Sequence, residues 1–190
     1  MNTIEQLNEM TLEGAHAWFM QTCTATQWCE LMTQSRPYTS VEHLSDCAAQ
    51  HWAKMQSSDY REAFEGHPMI GDIDSLREKY ATTKKMAGNE QAGTAVASES
   101  VLKALQQANA DYLEKHGFIF IICASGLSAE TMLAALNDRI ENSTHIEEQN
   151  AAREQLKITL LRISKAFEGN LLTRTQIKDQ NKHQNKGTPL

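Results

Sequence analysis

Apolar residues recur at three- and four-residue steps in several stretches of this chain, and that spacing predicts amphipathic helices. Val101, Leu102, Leu105, Ala108 and Tyr112 form one such stripe, and Met132, Leu133, Leu136 and Ile140 form another. Beyond Thr144, the residues Ile146, Leu156, Leu160, Ile163 and Phe167 fall near one face after a gap, while Glu147, Glu148, Arg153 and Lys157 face elsewhere. Start signals accompany the pattern. Thr3 with Gln6 and Thr144 with Glu147 are spaced as capping boxes, in which the two side chains satisfy the orphan N–H groups of a first turn. Only three prolines and nine glycines interrupt the 190 residues, leaving long runs of good helix formers. The expected fold is all-α: a single compact helical domain over residues 1–168, followed by a polar, flexible tail over residues 169–190.

One run breaks the helical pattern. Phe118-Ile119-Phe120-Ile121-Ile122-Cys123-Ala124 has the branched and aromatic content of a short buried strand. No second run of that type occurs, so it has no sheet to join. It reads as a buried connection or the apolar start of a helix, punctuated by Gly117 and Gly126. The stretch from Gly66 to Gly93 holds few apolar repeats and carries Pro68, Gly71, Gly88 and Gly93, so loops and short helices there would present polar side chains.

Charge and composition narrow the class. A formal net charge of −6 with no block of Lys and Arg argues against a nucleic-acid partner. The longest apolar run, Phe118 to Ala124, is too short to span a bilayer, and no basic-then-apolar leader begins the chain, so a soluble cytoplasmic protein is expected. Cys23, Cys29, Cys47 and Cys123 show no C-x-x-C spacing and fit reduced thiols. Thr188-Pro189-Leu190 is not an S-K-L peroxisomal address.

Candidate chemistry centres on His67-Pro68 and Glu90-Gln91. Histidine titrates near neutrality and is the commonest general acid or base, and Pro68 fixes the backbone beside it. Taken alone His67 could be a surface or capping residue, and Glu90 a solvated carboxylate; each gains weight from the other. Gln91 can donate and accept at once, which suits an amide or ureido group. Arg162, one residue before the apolar Ile163, has two readings: a guanidinium reaching inward to hold a carboxylate or carbonyls, or a rim salt bridge. Arg139 closes a helix, where a cation complements the macrodipole, and reads as structural. There is no HExxH, zinc-type Cys/His cluster, G-x-S-x-G or P-loop. His43 and His51 can share one side of a helix but lack further ligands, so no metal is expected.

Five segments taken together are more specific than any one of them. His67-Pro68-Met69-Ile70-Gly71, Glu90-Gln91-Ala92-Gly93, Gly117-Phe118-Ile119-Phe120, Arg139-Ile140-Glu141-Asn142 and Ile158 through Ile163 stand in an order and spacing that resembles the OHCU decarboxylases. Leu7-Asn8 and Arg36-Pro37-Tyr38 match that family's N-terminal pattern, and the resemblance spans Ile4 to Phe167. The family acts on 2-oxo-4-hydroxy-4-carboxy-5-ureidoimidazoline, the last intermediate between urate and allantoin. The resemblance implies an all-helical fold, no cofactor, proton transfers by His67 and Glu90, substrate contacts by Gln91 and Arg162, and a pocket lined by Pro68 and the backbone around Ile122. It leaves a homodimer open, since the family often forms dimers. Three positions depart from the pattern: Ala87 replaces the usual serine, His116 the usual aromatic, and Ile119 the usual proline. The first removes a hydroxyl contact to substrate unless a neighbour supplies it; the other two touch packing.

The chemistry is intelligible without a cofactor, because the ring carbon that loses carbon dioxide adjoins a C=N group that accepts the electrons. The roles of His67 and Glu90 can be exchanged on the sequence alone. Two rivals keep the scaffold: a binding module that has lost the chemistry, for which Ala87 is the one hint, and a ureido hydrolase or isomerase in which Glu90 activates water.

Overall fold

Helix-start chemistry is written repeatedly into this chain, and most of it is local hydroxyl capping. The computed structural model describes residues 3–67 and 98–184, with side chains as far as 168. Thr3 Oγ1 accepts the Gln6 N–H at 3.1 Å and begins α1 (Ile4–Glu9), and Thr11 Oγ1 accepts the Gly14 N–H at 3.0 Å and begins α2 (Leu12–Met20). Then come α3 (Thr26–Gln34), α4 (Val41–Trp52), capped by Ser40, and α5 (Ser57–Glu65), whose Gln56 and Asp59 form a capping box. Ser98 caps α6 (Glu99–His116) and Ser128 caps α7 (Ala129–Ile140). The last helix, α8, runs Thr144–Gln184, so its backbone continues past the end of the helical domain expected from the sequence. The described residues form these eight helices and no strand, which is the all-α fold expected.

The chain divides into two compact units, Met1–Met55 with Leu156–Leu190, and Gln56–Gln155, the second boundary falling inside α8. The first unit packs α2 on α3 and α3 on α4. Phe19 meets Trp28 edge-on at 5.9 Å between centroids, Trp18 packs against Phe167 of α8 at 5.9 Å, and the Trp28 indole N–H donates to the Ala48 carbonyl at 3.1 Å. The motifs Leu7-Asn8 and Arg36-Pro37-Tyr38 meet here. The Arg36 guanidinium donates to the Leu7 and Met10 carbonyls at 3.0 and 2.7 Å, closing α1, and Asn8 exchanges two 2.8 Å hydrogen bonds with the Tyr38 backbone. The Arg36–Pro37 peptide is cis.

The second unit is built around α6 and α7, with Leu102, Leu105, Ala108 and Tyr112 buried on one and Met132 and Leu136 on the other, as their periodicity predicts. α6 ends on Gly117 at φ +73°, a left-handed cap that glycine adopts without a Cβ penalty. The chain then runs through Phe118–Ala124 with neither helix nor strand, so this segment is a buried connection and not a helix start. Phe118 stacks on Phe64 at 5.3 Å, and Tyr112 meets Phe118 and Phe120 edge-on at 5.8 and 5.2 Å.

Two expectations about α8 are corrected. Thr144 and Glu147 do not form a capping box: Thr144 Oγ1 lies 3.2 Å from His116 Nδ1, and Ser143 Oγ receives the Ile146 N–H at 3.4 Å. Nor does Glu147 face away from the interior, where it is fully buried, whereas Ile146 is 46% exposed. The buried row of this helix is Glu147, Ala151, Gln155, Thr159, Ile163 and Phe167, an i, i+4 file whose first half is largely polar. Hydropathy assigns polar side chains to solvent, so the sequence reading placed the stripe one position off at its N-terminal end.

Candidate active site

Candidate chemistry in the second unit starts at the end of α5. Gly66 closes the helix and the His67 N–H donates to the Phe64 carbonyl at 3.1 Å, which sets the backbone from which the imidazole projects. His67 is half-buried, and its Nε2 lies 2.5 Å from Oε1 of Gln155, a residue with no exposed surface. The neighbouring Glu154 uses a carboxylate oxygen to accept the Cys123 N–H at 2.9 Å. Consecutive residues of α8 therefore hold the histidine and the segment that contains Ile122.

That segment needs such help. A buried chain without a ladder must satisfy its N–H and C=O groups some other way, because an unpaired one costs about 1–3 kcal/mol. Glu154 answers for Cys123, and Arg139 donates through Nη1 to the Ile121 carbonyl at 2.9 Å. Ile121 is buried and Ile122 half-buried beside it.

Arg139 is in turn fixed by Glu147. Its Nε donates to Glu147 Oε2 at 2.9 Å; its Nη2 lies 2.8 Å from the same oxygen as an ion-pair contact without hydrogen-bond alignment, and the guanidinium covers the Phe120 ring at 4.5 Å. The carboxylate also accepts from the Tyr112 hydroxyl at 2.6 Å, Asn142 at 2.7 Å and Asn150 at 2.6 Å. Burial by itself would raise the Glu147 carboxyl, but hydrogen bonds from Arg139, Tyr112, Asn142 and Asn150 outweigh it and hold the group below its ordinary value. Burial first, then the hydrogen bond to Glu147, pushes the Tyr112 phenol well up. The structural reading of Arg139 stands, with a partner richer than a helix dipole. A parallel tie joins Arg61 to Glu148 at 2.7 Å, with the guanidinium 4.4 Å from the Phe118 centroid.

In the first unit, Arg162 is half-buried on α8 and its Nη1 donates to the Thr22 carbonyl at 3.0 Å. Among the described residues no carboxylate pairs with it, and the carbonyl it holds fits the inward-reaching reading. His43 and His51 have separate partners there, Thr39 and Ser35, with ring nitrogens at 3.1 and 2.7 Å from the hydroxyls. Pro68, Glu90 and Gln91 lie outside the described residues, as does Ala87.

The same architecture is recognised by comparison. A family model described as OHCU decarboxylase matches residues 8–164. The chain belongs to the OHCU decarboxylase family. The uric acid degradation bifunctional protein TTL of Arabidopsis thaliana is 37% identical over 145 residues, covering 76% of this chain and 45% of that protein. A 2-oxo-4-hydroxy-4-carboxy-5-ureidoimidazoline decarboxylase of Halalkalicoccus jeotgali is 25% identical, covering 85% of this chain and 89% of that one. A crystal structure of OHCU decarboxylase in the presence of (S)-allantoin superposes with a TM-score of 0.64 at 35% identity, over 80% of this chain and 97% of that chain. This chain spans less than half the length of the bifunctional relatives it matches.

Against the OHCU decarboxylase pattern, His116 still packs as a ring, buried with its centroid 4.4 Å from Tyr112, and Ile119 is half-buried in the connection. Sequence reasoning missed Glu147, Glu154 and Gln155. The signal available for the first and third was their place in the i+4 row that ends at Ile163 and Phe167.

Proposed function

We propose that this protein decarboxylates 2-oxo-4-hydroxy-4-carboxy-5-ureidoimidazoline to (S)-allantoin without a cofactor, in the cytoplasm, through the helical domain of residues 1–168. The observation that carries the reading is the match to the OHCU decarboxylase family across residues 8–164, a span that contains each proposed site residue. The half-buried His67, fixed at the end of α5 and against Gln155, supports it, because a general acid or base works only from a defined position.

In this mechanism the bond between the ring carbon and the carboxylate breaks and its electron pair moves toward the adjoining C=N, whose nitrogen takes a proton. An enol-like intermediate results. The hydroxyl on the first carbon then gives up its proton and becomes a carbonyl, while the neighbouring carbon gains a proton on one face. His67 and Glu90 carry these transfers: Glu90 takes the hydroxyl proton and His67 relays the proton to ring carbon. Gln91 and Arg162 hold the ureido and carboxylate ends, Pro68 and Ile122 line the pocket, and orientation of this kind contributes several kcal/mol, on the order of 7 or more in the best cases.

The substrate also decays by itself to racemic product, so optical activity discriminates better than rate. Circular dichroism is followed after adding the protein to urate that has been enzymatically oxidised and hydrolysed to the ureidoimidazoline. Rapid accumulation of one enantiomer is expected. Racemic product at the rate of the protein-free control would leave a binding module on the same fold, and release of urea or ammonia would indicate a hydrolase.

A further inference from the structure

We propose that Gln155 is a positioning residue that holds the His67 imidazole through an Nε2–H donor and thereby assigns proton exchange with the substrate to Nδ1. The inference rests on the reading of His67 as an acid/base residue and adds which ring atom acts and what keeps it there.

Three observations converge. The Gln155 side chain is fully buried on α8, so its amide sits where a polar group is tolerated only with partners. Its Oε1 lies 2.5 Å from His67 Nε2, across 88 positions of sequence. An amide oxygen has lone pairs and no proton, so the hydrogen between the two atoms belongs to the imidazole. With Nε2 committed as a donor, the neutral ring has its basic lone pair on Nδ1. The backbone supplies the rest of the restraint: the His67 N–H is held by the Phe64 carbonyl at 3.1 Å, directly after the Gly66 cap.

The chemical identity of the partner matters. A carboxylate in the place of Gln155 would stabilise the imidazolium and discourage it from releasing a proton. The amide fixes orientation and tautomer without adding charge, which suits a group that must both take up and give back a proton in one turnover. Glu154, one residue earlier, does the charged work elsewhere by accepting the Cys123 N–H at 2.9 Å.

The test uses the full chain and two kinds of readout. Long-range nitrogen–proton spectra of the imidazole side chains, with His67 assigned by its loss in His67→Asn, are expected to show the Nε2–H tautomer in the neutral form. The Nδ1–H tautomer, with the glutamine amide donating to Nε2, would overturn the proposal, whether or not the protein turns over the ureidoimidazoline. On the kinetic side, Gln155→Leu is expected to lower kcat roughly tenfold to a hundredfold with KM nearly unchanged, as loss of an orienting partner typically does. Gln155→Glu is expected to move the pH–rate limb due to His67 upward by about one unit. Loss of thermal stability with kcat and both pH limbs unmoved would mean that Gln155 only packs. A wild-type protein that yields racemic product would remove the decarboxylase reading while leaving the tautomer assignment to stand or fall by the spectra.

Discussion

The two compact units bury polar groups in different ways. In the first, buried polar side chains serve single backbone carbonyls: the Thr22 hydroxyl donates to the Phe19 carbonyl and Thr33 to the Cys29 carbonyl within a turn, and the Trp28 indole to the Ala48 carbonyl on the neighbouring helix. Leu7, Phe19, Trp28, Met32 and Leu44 otherwise form an apolar interior. In the second, a fully buried carboxylate collects donors from α6, α7, the turn after α7, and α8 itself, and that network fixes a connection with no regular structure. Apolar packing tolerates many sequences of similar volume, whereas a buried charge works only with its partners in place. The unit that spends its interior on polar ties is the one that holds His67 and the Ile122 segment.

Substitutions at four positions test that contrast, from the largest expected effect down. Glu147→Ala leaves the Arg139 guanidinium buried and unpaired, and its cost should be about 3–5 kcal/mol by denaturant unfolding. Leu44→Ala in the first unit should cost about 2–5 kcal/mol through its cavity. The two are told apart by pH. Glu147 is held below its ordinary carboxyl value in the folded protein, so its contribution is complete above the unfolded value of about 4.3 and disappears as pH falls through the folded one. Acidification should therefore narrow the gap between wild type and Glu147→Gln, yet leave the gap to Leu44→Ala unchanged. An equal pH response in both would erase the distinction between the units.

His67→Ala takes a hydrogen-bond partner from the fully buried Gln155 amide and should cost about 1–3 kcal/mol of stability, while turnover falls by about a hundredfold. At the small end, Thr11→Ala removes the cap of α2 and should cost about 1 kcal/mol, read as a shift of the unfolding midpoint with an unchanged slope.

The contrast also explains what the sequence could tell. The helices with apolar stripes, α6 and α7, were legible because periodicity reports burial whenever the buried residues are apolar. The connection at Phe118–Ala124 was recognised as buried because its composition is apolar throughout. Glu147 and Gln155 are legible only through their place in the i+4 row, since hydropathy cannot distinguish a carboxylate held by four partners from one held by water. Thr144 and Glu147 have the spacing of a capping box, but spacing cannot show that the carboxylate is taken up by Arg139, Tyr112, Asn142 and Asn150. His67 is proposed from its chemistry and its company, whereas its partner Gln155, 88 positions away, is visible only after the fold brings them together. Arg162 has two readings on the sequence because an arginine before an apolar residue looks alike in both; its bond to the carbonyl of the buried Thr22 fits the inward-reaching one.

The central claim is that His67 controls the face on which the product is protonated. Its most direct test is the circular dichroism of allantoin formed by His67→Ala, with folding verified by an unchanged far-ultraviolet spectrum and a cooperative unfolding transition above the assay temperature. Wild type is expected to give one enantiomer, and the variant to give product at the spontaneous rate without optical activity. A folded variant that still produced the wild-type enantiomer at a comparable rate would contradict it.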